Sequence, residues 1–204
     1  MRIAIPDDVL NIPDYKTICD VIAAFQSSAS DVQMELLAHG VDETEHDVLD
    51  GKVDICIGAV FNPRAELEYI PRPSHQCHLY CGKKHHFFKV PDSNLSADRI
   101  ESESLVGAGF KLTPKAAHLT ARFPLEAIAN HISARLMLIQ SGIYLGFLPS
   151  YFAESYQNSG ELRRIHPKKY FYSVDNAIFF AKNARQNSLV DLFIDELVKQ
   201  TNYG

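Results

Sequence analysis

The chain is most easily bounded by what it lacks. No stretch of 18 apolar residues occurs, so no helical membrane span is expected. No charged start leads into an apolar run, so no export signal is visible and a cytoplasmic setting is expected. A nucleotide fingerprint of the Gly-x-Gly-x-x-Gly or phosphate-loop kind is absent, and Gly107 and Gly109 alone carry too little signal to replace it. Basic charge is scarce. With 20 Lys and Arg against 25 Asp and Glu, the net charge is -5. The densest basic groups, Lys83-Lys84 with His85-His86 and Arg163-Arg164 through Lys168-Lys169, are short, so these residues are not expected to coat phosphates. Tryptophan is missing altogether, which excludes nothing. The four cysteines, Cys19, Cys56, Cys77 and Cys81, read as reduced and buried, although the spacing alone leaves a Cys77–Cys81 disulfide open.

What is present is an α/β pattern. Arg2 to Pro6 reads as a short strand closed by proline. Ile18, Val21, Ile22 and Phe25 recur at helical spacing, giving a helix from about Asp14 to Ser27, with Pro13 suited to its start. Val32 to Leu37 alternates as a strand. Asp42 followed by Glu45 resembles a capping box for a helix ending at Leu49-Asp50-Gly51. Val53 to Ala59 is an apolar run of the kind found in strands covered on both faces. This βαβαβ order marks a doubly wound lobe. Leu67–Ile70 and Cys77–Cys81 read as strands divided by Pro71 and Pro73, and polar Gly82 to His86 as a crossing to a second lobe.

Beyond that crossing lie a short helix at Ser96–Ser102, strands at Leu105–Phe110 and Leu125–Ala129, and a helix at Ile132–Gln140. Gly142 caps this helix, and Tyr144 to Leu148 forms the next strand. A short helix at Tyr151–Tyr156, strands at Glu161–Ile165 and Ser173–Ala181, and an amphipathic closing helix through Leu189, Phe193 and Leu197 complete the pattern. In open α/β sheets, ligands sit beyond the carboxyl ends of the strands. Here these ends are Pro6 to Asp8, Gly40 to Asp42 and the Ala129-Asn130-His131 turn. Helix N-termini there suit an anion, whereas Asp7 and Asp8 would favour an amine if they are not engaged in capping.

Several phrases line up over nearly the whole chain: Arg2 to Ile5, the helix ending in Phe25, Val32 to Leu36, Val48 to Gly58, His85-His86-Phe87-Phe88, Gln140 to Pro149, Gly160-Glu161-Leu162 and Phe193 to Leu197. Together they resemble the effector-binding domain of LysR-type transcriptional regulators. The resemblance implies a type 2 periplasmic-binding-protein-like fold, with two doubly wound subdomains joined by two crossover strands. On this chain the subdomains would be residues 1–82 with 180–204, and residues 83–179. It also implies an N-terminal winged helix-turn-helix that these residues do not include, so that promoter DNA is bound only through that missing part.

The same resemblance implies a small-molecule effector between the lobes, whether a small organic acid, an amino acid or an amine. It implies a homodimer that becomes a tetramer at full length, and no cofactor, metal or membrane. The effector contacts carry over to Asp7 and Asp8, Val41 and Asp42, and Asn130 and His131, with Phe147 and Leu148 lining the second lobe's wall. The family often has Ser or Thr where this chain has acids and a valine, which points away from a simple aromatic carboxylate. A periplasmic solute-binding protein of a transporter is the alternative on the same fold. A small enzyme would need a nucleophile with a base or a metal set. His75, Cys77, His78 and Cys81 do not have the spacing of a common zinc site, and His131 has no evident catalytic partner.

Overall fold

The computed structural model describes residues 1–6, 8, 15–39 and 44–201. The expected helix start at Pro13-Asp14 and the capping box at Asp42 lie outside the described residues. The chain divides into two compact units, Met1–Pro73 with Asp175–Gly204, and Ser74–Val174.

Unit 1 is built on β1 (Arg2–Pro6), α1 (Tyr15–Ser28), β2 (Glu35–His39), α2 (Thr44–Leu49) and β3 (Ile55–Val60). β1 pairs in parallel with β2, Ile3 opposite Leu36, and with β3, Ala4 opposite Cys56. β3 then pairs antiparallel with β9 (Phe171–Ala181), Cys56 opposite Phe179. Successive side chains of a strand face opposite ways, and both faces here are covered. Ile3, Ile55, Ile57, Ile178 and Phe180 meet Ile18, Val21 and Phe25 of α1, and Val190, Phe193 and Leu197 of α7 (Ser188–Thr201). On the other face Ala4, Cys56, Ala177 and Phe179 meet Val48 of α2 and Val53. The apolar β3 run is therefore the two-sided burial that its composition requires.

Cys19 departs from the sequence reading. It lies on α1 next to the buried Ile18 but is exposed, because a helix turns its next residue by about 100° away from the core stripe. Cys56, Cys77 and Cys81 are buried, and all four cysteines are free thiols.

Unit 2 contains α3 (Ala97–Glu101), β5 (Leu105–Gly107), α4 (Pro114–Thr120), β6 (Leu125–Ile128), α5 (Ile132–Gln140), β7 (Leu145–Pro149), α6 (Ser150–Asn158) and β8 (Leu162–Arg164). Its strands run in the order β4-β7-β5-β6, and β8 also pairs with β4 (Leu67–Gly82). β5 is parallel to β6 and β7, while β4 is antiparallel to β7, with His78 opposite Leu148. Tyr80, Val106, Leu136, Ile139, Leu148 and Phe152 form the core beneath α5 and α6.

The two expected strands around Pro71 and Pro73 are one strand, β4, and the unit boundary falls inside it at Pro73/Ser74. β9 contains the return passage at Val174/Asp175. The sequence placed the first passage at 82/83 because Gly82 to His86 is polar, and the return at 179/180, within the strand expected at Ser173–Ala181. In the structure Cys77 to Gly82 already pair with β7 and β8 of unit 2. Pro71 and Pro73 are both exposed and fall outside those ladders, so their missing N–H groups cost the sheet no bond there.

Candidate functional site

Three parallel strands of unit 2, β5, β6 and β7, end on the same side, as parallel strands must. Their carboxyl ends lead into the loop at Ala108–Phe110, the Ala129-Asn130-His131 turn and the start of α6 at Ser150. Asn130 is exposed, and its side chain lies against Gly109 so closely that a Cβ there would stand 1.8 Å from Asn130 Oδ1. That approach requires glycine at position 109. His131 is exposed and is the N-cap residue of α5, in extended backbone geometry, with no side-chain capping bond.

Phe147 and Leu148, adjacent on β7, separate onto its two faces. Phe147 joins an aromatic layer, 5.3 Å from the Tyr172 ring and 6.2 Å from the Phe123 ring. Leu148 turns instead into the core under α5 and α6 and is fully buried. Asp8, the described acid of the first strand's end, is a buried turn residue. Asp7, Val41 and Asp42 lie outside the described residues.

Arg135, which the sequence reading did not single out, ties these parts together. From the first turn of α5 its Nη2 donates to Ala129 O at 3.0 Å and its Nη1 to Phe147 O at 3.2 Å. The guanidinium carbon lies 5.9 Å from the centre of the Phe110 ring. One side chain thus links the ends of all three strands. Nearby, burial holds the Tyr172 hydroxyl well above its ordinary range, an effect reinforced by Cys77 and partly offset by the Arg135 guanidinium. No signal in the sequence distinguishes Arg135 from a solvated helix-face arginine. The nearest hint is its place one turn after a predicted strand-to-helix junction.

Two other clusters in unit 2 offer chemistry. His85, His86 and Glu103 bring three ligand-type atoms within 4.8 Å of one another. The His85 tautomer argues against a metal. Its Nδ1 accepts the Phe87 N–H at 3.1 Å, so in the neutral ring the proton sits on Nε2, 3.7 Å from Glu103 Oε2. A metal would need the lone pair at that nitrogen. The cluster instead braces the chain after β4, with His86 Nε2 3.0 Å from Glu103 Oε1. Burial, and then the neighbouring His86, push His85 down to about 4 from an ordinary 6.5.

A depressed histidine in the fold means that the unfolded chain holds the extra proton between those two values. Stability therefore falls as pH drops from about 6.5 toward 4, and this contribution levels off below that. His85→Gln is expected to flatten that part of a stability-against-pH curve measured by urea unfolding. A slope equal to the wild type's would assign it to other groups.

The second cluster is a polar hollow of about 490 Å³ lined by Gln76, His78, Ser150, Glu154, Gln157 and Arg164, among others. Its arginine is already engaged, with Nε on the Tyr80 hydroxyl at 3.2 Å and Nη2 on Gln157 Oε1 at 3.0 Å.

A family model described as the LysR substrate binding domain matches residues 2–202. The HTH-type transcriptional activator BauR of Pseudomonas aeruginosa is 24% identical over 195 residues, covering 96% of this chain and 64% of that protein. The chain thus spans a little under two thirds of this relative's length. Among solved structures, the effector binding domain of QuiR in complex with shikimate superposes with a TM-score of 0.76 at 12% identity, covering 98% of this chain and 95% of that one. The bromide-bound regulatory domain of HypT from Salmonella typhimurium gives 0.70 at 11% identity, covering 99% and 95%. At these identities the structural likeness speaks for the fold. It is the periplasmic-binding-protein-like fold, with two α/β lobes.

Proposed function

Because this chain belongs to the LysR substrate-binding domain family, matched over residues 2–202, we propose that it is the ligand-sensing part of a longer transcription regulator. It binds a small-molecule effector and thereby sets how a separate N-terminal winged helix-turn-helix engages promoter DNA. The family match over nearly the entire chain is the observation that carries this reading. The domain is regulatory and not enzymatic, as are the domains it matches.

Asn130, His131 and Phe147 are the unit 2 residues proposed to meet the effector, because they stand at the carboxyl ends of β6 and β7 beside the start of α5. Asp7, Asp8, Val41 and Asp42 are the contacts that the family pattern proposes for unit 1. Leu148 supports the wall from behind and does not line it. Relatives of this fold were solved with shikimate and with bromide, which supports a small ligand of some kind here. Among the described residues no helix is long and apolar enough to cross a membrane. The cytoplasm is the proposed location.

The test is a thermal-shift screen of small organic acids, amino acids and amines. A ligand that binds only the folded state adds about 2.7 kcal/mol of stability at a hundredfold excess over Kd and so raises the melting temperature. Asn130→Ala and His131→Ala, both at exposed positions, should weaken the hit without unfolding the domain.

We also propose a homodimer for this domain, with tetramers at full length. The strands at the open ends of the two strand orders carry exposed apolar residues, Leu36 at 48% on β2 and Leu125 and Ile128 at 56% and 61% on β6. Met137 on α5 is 73% exposed. Solvated apolar groups on edge strands are a liability unless covered. Ile128→Lys with Met137→Glu is expected to convert a dimer into a 22.9 kDa monomer in sedimentation. A wild type that stays monomeric at high concentration would remove the dimer.

A further inference from the structure

Arg135 allows the effector's chemical class to be named, an inference that rests on the ligand-sensing reading above. The residue is 5% exposed. Helical side chains lean back toward the helix start, which carries its guanidinium under the Ala129-Asn130-His131 turn. Both acceptors it meets there, Ala129 O and Phe147 O, are neutral carbonyls. Its Nε is buried with no hydrogen-bond partner, and among the described residues no carboxylate pairs with the group. A guanidinium has five N–H donors, and two are used, so three remain.

Natural proteins pair buried cations, since an uncompensated buried charge costs several kcal/mol. Clipping two carbonyls in place calls only for neutral donors, which a glutamine could supply. A planar, permanently charged fork at this position matches something the carbonyls do not provide, namely an anion with two coplanar acceptors.

The geometry points to an effector that carries a carboxylate, held by Arg135 at the α5 end of unit 2.

The test uses the whole 204-residue chain with matched pairs of probes: propionate, succinate and benzoate against propionamide, succinamide and benzamide, at constant ionic strength. Melting temperature and calorimetric Kd are measured for the wild type, Arg135→Gln and Arg135→Lys. At least one acid should stabilise the wild type while its amide does not. Arg135→Gln should weaken that acid by about 10- to 200-fold, the loss expected for a charged hydrogen-bond partner. Its melting temperature without ligand should match or exceed the wild type's, because the buried charge is gone. Arg135→Lys, which keeps the charge without the fork, should keep the preference for acid over amide at lower affinity. It decides the matter should the glutamine variant fail to fold.

Equal acid affinity in Arg135→Gln and wild type overturns the carboxylate assignment and leaves the sensing role standing. So does stabilisation by the amides as strong as by the acids. No shift with any probe, followed by none across the wider screen of amines and amino acids, overturns the assignment and the sensing role together.

Discussion

Phe193→Ala is expected to destabilise unit 1 by about 3–5 kcal/mol, the usual cost of emptying a fully buried phenylalanine site. Phe193 is 0% exposed on α7, and its ring meets Phe25 of α1 edge-to-face, with centroids 5.4 Å apart. It shares the core with Ile3, Ile55 and Ile178 of the sheet. The ring therefore fastens the two helices to each other and both to the strands. Part of the loss is hydrophobic transfer, and part is the cavity that neighbours on three elements cannot close. Edge-to-face contact adds about 0.5–1.5 kcal/mol beyond area. A single domain holds only about 5–15 kcal/mol in all, so a large share would go at one site. Urea unfolding followed by circular dichroism measures it, and Phe193→Leu should cost much less because it keeps most of the volume. A loss below about 1 kcal/mol in the alanine variant would mean that α7 is not docked through this ring.

The elements that the sequence made legible are those whose local chemistry and tertiary burial agree. β1, β3, β7, α1, α5 and α7 all lie within a few residues of their expected positions, because each has an unambiguous apolar period and a marked end. α4 had no expected counterpart, since the sequence analysis assigned nothing between the strands at Leu105–Phe110 and Leu125–Ala129. In the structure Thr113 accepts from Ala116 N–H and Pro114 opens the helix, so these two residues are a start signal. The prolines of β4 misled, because a proline breaks a strand only where its N–H is needed.

Of the proposed site, the strand ends and the resemblance together point to Asn130 and His131, whereas Arg135 is singled out only by its burial and its two carbonyl partners, which no single-sequence pattern encodes. His131 and Arg135 lie only four residues apart on the chain, yet one is exposed and the other 5% exposed.

Gly142→Ala is expected to cost about 2–5 kcal/mol, whereas Gly160→Ala should cost only about 1–2 kcal/mol. Both glycines have left-handed backbone, with φ of +85° and +72°. Any residue with a Cβ meets the same conformational penalty at either place, about 1–2 kcal/mol. The surroundings differ. A Cβ at Gly160 would meet nothing within 4 Å, while one at Gly142 would stand 2.5 Å from Lys84 Cβ and 2.8 Å from the Lys84 carbonyl carbon. Backbone cannot swing aside as a side-chain tip can, so α5 and the segment after β4 would have to separate, adding about 1–3 kcal/mol of overpacking strain.

That segment carries His85, whose Nδ1 holds the Phe87 N–H, and α5 carries Arg135. The Gly142 variant should therefore also lose ligand-induced stabilisation, while the Gly160 variant, in the turn before β8, keeps it. The two glycines form a matched pair with one variable, the room beside the Cβ. Equal losses of stability in the two variants would show that the junction between α5 and β7 yields, and that the Gly142-to-Pro149 phrase records a backbone turn alone and not a close approach of two elements.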